Sequence, residues 1–192
     1  MNALDLAHKL RAAFGAVLAE PAEFRGEVTL KLTDPEAIGR ICGFAKLELG
    51  FDFLLDITSI DNYGEDPRWT IVYHLYGLAH QAHLRIKTDV SEEKSELPTV
   101  SHVWRTANWH EREIYDLMGI RFRGHPDLRR IIMWEGYPYH PLRKDFPVTG
   151  KPSELPGVAF SKAAPIEGGP FVTVPGGKDA MAREPRVRTP ED

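Results

Sequence analysis

Residues 51–90 run FDFLLDITSI DNYGEDPRWT IVYHLYGLAH QAHLRIKTDV. Phe51, Phe53, Leu55 and Ile57 alternate with Asp52 and Asp56, the pattern of a strand with one dry and one wet face. This phase places Leu55 inside, where truncation to alanine is expected to cost about 2–5 kcal/mol. Asp61-Asn62-Tyr63-Gly64 supplies turn residues. Trp69, Ile71, Tyr73 and Leu75 then alternate, and after a short break Leu84, Ile86 and Thr88 do the same. Connections this short predict an antiparallel meander of three strands, since parallel crossovers need far longer links.

Upstream, Leu6, Leu10, Ala13, Phe14 and Val17 recur at helical spacing, predicting a helix over residues 3–19 that Pro21 stops. Val28, Leu30 and Leu32 alternate with Glu27, Thr29 and Lys31 as a half-buried strand. Thr33-Asp34-Pro35-Glu36 is a helix start, with a side-chain cap and a proline in the first turn. Ile38, Ile41, Cys42, Ala45 and Leu49 make the apolar stripe of that second helix, and Gly50 closes it. The order helix, strand, helix, three strands, helix predicts an α+β two-layer domain over residues 1–150. Its helices cover one face of a mixed, largely antiparallel sheet. Ser91 to Glu96 is polar and acidic, as a solvated loop is. Residues 151–192 hold seven of the fifteen prolines and only two aromatics, Phe160 and Phe171. Such a stretch cannot bury a core of its own and reads as an extended, Pro/Gly-rich, partner-binding C-terminal tail.

The 192 residues are 42% hydrophobic and 27% charged, ordinary globular values that exclude wholesale disorder. No apolar run approaches the roughly 20 residues of a membrane span, and Met1 to Glu20 lacks the apolar core of a signal peptide. The chain is therefore expected to be cytoplasmic in topology, with room for a place on a membranous assembly. A net charge of −4 argues against a role on nucleic acid. Cys42 is the sole cysteine. That excludes disulfide scaffolding, a Cys-rich zinc site and an iron–sulfur cluster ligated by this chain alone. On its helix stripe it reads as a small buried hydrophobe.

The unusual chemistry lies in residues 108–147. Asn108 and Glu111 have capping-box spacing and Gly119 sits where a terminal glycine belongs, which predicts a helix over 109–118. Ile114, Leu117 and Met118 share its core-facing side. Trp109, Arg112, Glu113 and Asp116 share the other, read as solvated, with Arg112 positioned to pair with Asp116 and to stack on Trp109. Across 111–145, seven cations (Arg112, Arg121, Arg123, Arg129, Arg130, Arg143, Lys144) interleave with six acids (Glu111, Glu113, Asp116, Asp127, Glu135, Asp145). Trp134, Tyr137, Tyr139 and Phe146 lie among them. Arginine and aromatic residues in such density suit a specific protein contact surface.

The string Glu111-Arg112-Glu113-Ile114-Tyr115-Asp116-Leu117-Met118-Gly119-Ile120 resembles the signature of the 30-kDa subunit family of respiratory complex I, the C-type subunits of the bacterial proton-pumping NADH–quinone oxidoreductase. Gly124-His125-Pro126-Asp127-Leu128-Arg129-Arg130-Ile131 and Arg143-Lys144-Asp145-Phe146-Pro147 continue the likeness. The resemblance implies a non-redox, peripheral-arm subunit that packs on the 49-kDa-type subunit and braces the quinone-reducing module. It implies that FMN, iron–sulfur clusters and quinone belong to partner subunits, with no cofactor, metal or catalytic residue in this chain. It implies a place on the cytoplasmic side of the bacterial inner membrane, held there through the complex. The signature residues Glu111, Arg112, Glu113, Tyr115, Asp116, Gly119, Gly124, His125, Asp127, Arg129, Arg130, Arg143, Lys144 and Asp145 are the expected partner contacts. The tail departs from the family's commoner pattern, since Lys151-Pro152-Ser153-Glu154-Leu155-Pro156 opens a proline-rich run.

Three rival readings remain. A metal hydrolase needs two histidines four apart on a helix, but His110 is followed four residues later by Ile114. His80 and His83 flank a predicted turn without a third ligand, and His125 precedes Pro126 as ligand or turn residue. An acid–base pair of Glu113 and Asp116 has Arg112 beside its members, which favours both ionised. The equivalent subunit of a membrane-bound hydrogenase or another quinone-reducing complex would carry a similar sequence.

Overall fold

The computed structural model describes residues 1–134 and 136–148, and the expected tail over 151–192 lies outside them. The chain divides into a unit Met1–Lys144 and a second, Asp145–Asp192. The first unit contains α1 (Ala3–Phe14), β1 (Ala22–Phe24), β2 (Glu27–Leu32), α2 (Ile38–Leu47), β3 (Phe53–Asp61), β4 (Trp69–Gly77), β5 (Ala82–Val90), β6 (Glu96–Pro98), α3 (Ala107–Met118) and β7 (Arg121–Arg123). Five strands form one sheet in the order β1-β2-β5-β4-β3. The meander is antiparallel as expected, while β2 joins β5 in parallel, so the sheet is mixed. The fold is α+β.

Strand alternation puts Leu30, Leu32, Ile71, Tyr73, Leu75, Leu84 and Ile86 into one core with Leu6 and Leu10 of α1 and Ile38, Ile41 and Ala45 of α2. Cys42 is buried among them, and burial pushes its thiol far above the ordinary range, so it stays protonated. The opposite strand positions carry charges that pair across the sheet, such as Lys31 with Asp89 at 2.6 Å and Arg85 with Glu27.

Two expectations change. The first helix ends at Phe14 rather than running to residue 19, because Gly15 adopts φ +61° and a 3₁₀ turn over Gly15–Val17 follows. That turn brings Leu18 beside Leu32. The second change concerns β3. Leu54 faces Leu75 across the ladder and Asp56 faces His74, so the register slips between them and Leu55 is the extra residue. A bulge of this kind inverts the alternation. Leu54 is 4% exposed and Leu55 47%, so Leu55 lies outside the core and Leu54 takes its place.

The edge of β3 also receives the chain that becomes α3. Trp104 Nε1 donates to the Asp52 carbonyl at 3.1 Å and Thr106 Oγ1 to the Leu54 carbonyl at 3.5 Å. These bonds satisfy edge carbonyls and set α3 beside β3.

Leu54→Ala is expected to destabilise the fold by about 2–5 kcal/mol in a urea titration, and Leu55→Ala by about 0.5 kcal/mol or less. Equal losses would mean that the bulge does not invert the strand.

Candidate functional site

The site is built on α3. Its first residue is Ala107, whose N–H bonds the Trp104 carbonyl at 3.1 Å, so the helix grows out of the preceding turn. Asn108 is therefore inside the helix and the expected capping box does not form. The Glu111 carboxylate instead turns inward and accepts hydrogen bonds from the Thr99 hydroxyl and from the Val100 N–H at 2.7 Å. It is fully buried, and burial outweighs those two bonds, raising its pKa to about 7. His125 lies against it, with Nε2 at 3.9 Å from the carboxylate. His125 Nδ1 accepts from the Asp127 N–H at 3.0 Å, so Nε2 carries the proton and donates to the Asn108 carbonyl at 3.2 Å. Burial lowers the His125 pKa, against that bond, and favours the neutral ring.

The outer face of α3 is not solvated as its pattern suggests. Arg112 and Asp116 are both buried, because the chain after β7 folds back across them. Nor do they pair. Asp116 Oδ2 accepts three backbone N–H groups, from Ile131 (3.0 Å), Ile132 (2.7 Å) and Met133 (2.8 Å). Its Oδ1 accepts Arg130 Nη1 at 2.6 Å. Burial alone would raise the Asp116 pKa, but the N–H groups and Arg130 together hold it below the usual carboxylate range. Arg112 donates Nε and Nη2 to the carbonyls of Arg129 (3.1 Å) and Arg130 (3.2 Å) and stacks on Trp109 with 5.3 Å to the ring centroid, as expected.

The same segment closes the helix. The last carbonyls of α3 have no partner within the helix. Here the Asp116 carbonyl accepts Arg130 Nη1 at 3.0 Å and lies 2.9 Å from His140 Nδ1. The Leu117 carbonyl accepts the Leu142 N–H at 3.1 Å, and the Met118 carbonyl accepts Arg143 Nε at 2.6 Å. Two guanidinium groups at a helix C-terminus also oppose its dipole. Gly119 is required by both conformation and space. Its φ is +79°, and a Cβ there would lie 2.4 Å from Arg143 Nη2 and 2.6 Å from His140 Nε2.

Farther along, Asp61 holds Arg68 through two bonds of 2.9 and 3.0 Å and accepts the Lys144 N–H at 2.8 Å. Arg68 and Arg143 both lie over the Trp69 ring, 4.4 and 5.2 Å from its centroid. Trp134, Tyr137 and Tyr139 pack edge to face at 4.5 and 5.6 Å. The sequence names Asp61 only as a turn residue, whereas it ends β3 and is buried, and it does not single out Arg68, Thr99 or His140. Each meets a partner 12 to 83 residues away. No local pattern signals pairs of that separation.

The expected contact residues therefore divide. Glu111, Arg112 and Asp116 are buried, while Tyr115, Gly119, His125, Arg130 and Arg143 are half-buried. Glu113, Gly124, Asp127, Arg129, Lys144 and Asp145 are exposed. Among the described residues, two openings border α3. A cavity of about 370 Å³ is lined by Arg112, Tyr115, Leu128, Arg129, Arg130 and Met133. A groove of about 170 Å³ between β3 and α3 has Ile57, Ile114, Leu117, Met118 and Leu142 on its walls. Among the described residues no cluster of three or more His, Cys, Asp or Glu is arranged to hold a metal ion. Glu113 and Asp116 do not share a pocket: the first is exposed and the second is enclosed.

Glu111 has a raised folded-state pKa, so the native chain binds the extra proton and loses stability as pH rises from about 4.5 to 7. The upper bound of that loss is about 3 kcal/mol. His125, with its lowered pKa, has the opposite slope below about 6.5, so the wild-type profile mixes the two. Glu111→Gln removes only the first. Its stability relative to wild type is expected to rise from pH 5 to about pH 7 and to level off above that in parallel denaturant titrations. A difference that does not vary with pH would contradict the buried-carboxylate reading.

The family described as "Respiratory-chain NADH dehydrogenase, 30 Kd subunit" matches residues 32–152. The NADH-quinone oxidoreductase C subunit of Geotalea uraniireducens (strain Rf4) is 49% identical over 146 residues, covering 76% of this chain and 88% of the relative. A second-numbered NADH-quinone oxidoreductase C subunit, from Rhizobium meliloti (strain 1021), is 54% identical over 123 residues, covering 63% and 67%. Among solved structures, the trypsin-resistant fragment (1-134) of Nqo5 aligns with a TM-score of 0.56 at 32% identity, covering 65% of this chain and 97% of the fragment. An archaeal membrane-bound sulfane sulfur reductase contains a chain with a TM-score of 0.65 at 22% identity, covering 74% and 84%, which shows a shared fold. With its signature segment folded onto α3 as far as Lys144 and the match running through it, the chain belongs to the 30-kDa subunit family of the respiratory-chain NADH dehydrogenase, complex I.

Proposed function

We propose that this chain is a non-redox subunit of the peripheral arm of complex I that packs on the 49-kDa-type subunit and braces the quinone-reducing module. The observation that carries this reading is how residues 108–144 use their side chains. Asp116 and three of the six arginines, Arg112, Arg130 and Arg143, are consumed in holding the segment to α3, and the other buried acid, Glu111, is consumed by Thr99 and Val100. Apolar side chains meanwhile face outward: Phe53, Leu55 and Ile60 along the edge strand, Leu142 beside the groove, and Trp109 on α3. An acid locked into internal bonds is poorly placed for proton transfer to a substrate. Exposed apolar side chains on the elements that flank a groove are suited to burial against a partner.

In this reading FMN, clusters and quinone are carried by neighbouring subunits, and the chain contributes shape and contacts rather than catalytic groups. No helix among the described residues is long and apolar enough to cross a membrane. The chain would reach the cytoplasmic face of the inner membrane through its partners, and the 151–192 tail would lie along one of them.

Purification of the tagged full-length chain from membranes is expected to recover the 49-kDa-type subunit and NADH:quinone reductase activity. The chain expressed alone is expected to be colourless and free of stoichiometric iron, zinc and flavin. Recovery of the chain without the complex, or a visible absorption band that survives dialysis of the isolated chain, would overturn the proposal.

A further inference from the structure

We propose that the cavity between Arg112, Arg129 and Arg130 receives the carboxylate of an aspartate or glutamate side chain from a neighbouring subunit. This inference rests on the assembly role proposed above and gives one of its contacts a chemistry. Arg112 is only 8% exposed. Its Nε and Nη2 bond the carbonyls of Arg129 and Arg130, and its Nη1 makes no hydrogen bond. Among the described residues no carboxylate comes within ion-pair distance of it. A nearly buried guanidinium that meets only carbonyls and a ring is a charge without a counter-ion, an expensive state that an incoming anion relieves.

The nearby acids among the described residues are poorly placed to relieve it. Asp116 is saturated by Arg130 and the N–H groups of residues 131–133. Asp127 bonds Arg129 Nε at 3.0 Å, which leaves the Nη atoms of Arg129 without a hydrogen bond. The Arg129 side chain is 71% exposed and lines the cavity. Two guanidinium groups thus face one opening with unused donors, a geometry suited to the two oxygens of a carboxylate. Leu128, Met133, Gly136 and Tyr115 complete the walls, and Tyr115 is half-buried.

The surroundings favour a protein over a small free anion. Trp109, stacked on Arg112, is 61% exposed, and Ile132, next to Met133 in the chain, is 59% exposed. A small anion would leave both in water. A docked subunit would cover them around the charge pair, and tryptophan and arginine are the residue types that anchor such contacts. A charge that is buried and unpaired in the free chain and neutralised on docking would also favour the correct partner over others.

Two measurements on the intact complex test this. In the first, the wild-type chain is treated with phenylglyoxal, alone and in the purified complex, and modification at Arg129 is read by peptide mass spectrometry. Arg129 is expected to react in the isolated chain and to lose that reactivity in the complex. In the second, the complex carrying Arg129→Lys is treated with a water-soluble carbodiimide, which joins an amine to a touching carboxylate as an amide while the carbodiimide takes up the water as a urea. The expected product links position 129 to an aspartate or glutamate of another subunit. Equal reactivity of Arg129 in both states, no cross-link, or a link only to an acid of this chain would overturn the inference. If the chain co-purifies with the complex while Arg129 stays reactive, the assembly role stands and the carboxylate site falls. If the chain does not co-purify, both fall.

Discussion

The Asp116 carboxylate sits in the last turn of α3, fully buried, and gathers three consecutive backbone N–H groups together with the Arg130 guanidinium. A carboxylate in such a place is unfavourable unless every lone pair finds a donor. Here the donors come from a segment with little regular structure of its own, so satisfying the charge and ordering the segment are the same event. Once residues 131–133 are fixed, Arg130, His140, Leu142 and Arg143 come within reach of the carbonyls that end the helix. Asp61 then holds the Lys144 backbone N–H against the end of β3. The outward positions of Trp109, Arg129 and Leu142 follow from that folding-back.

The parts of the fold governed by nearest neighbours were legible in the sequence. Alternation at Trp69–Leu75 and Leu84–Thr88 is a local property, and both strands lie where it puts them. Gly119 was readable as a helix terminus because a left-handed residue at that point nearly demands glycine. The bulge at Leu55 was not readable, since the stretch Phe53-Leu54-Leu55 is apolar throughout and either phase buries a leucine. The opposite strand makes the choice, through pairings to Leu75 and His74.

The outer face of α3 misled for a related reason. Trp109, Arg112, Glu113 and Asp116 look like a solvated stripe on a helical wheel, and charges normally mark water. What buries Arg112 and Asp116 is the chain 14 to 18 residues downstream, folding back over them. The capping-box spacing of Asn108 and Glu111 failed likewise, because Thr99 and Val100 compete for the carboxylate and win. The unusual density of arginine and acid in this region was still informative. Resemblance located the segment, and the structure separates those residues into internal ties and an exposed remainder that includes Arg129.

If Asp116 organises the segment, the amides of Ile131, Ile132 and Met133 should exchange slowly with solvent although they lie in no helix or strand. Native-state hydrogen exchange by NMR, comparing the wild-type chain with Asp116→Asn, reads this directly. The predicted result is clear protection of these amides in wild type, lost in the variant while the β4 amides stay protected. Rapid exchange at residues 131–133 in the wild-type chain, or protection unchanged in the variant, would contradict the claim that this carboxylate holds the segment together.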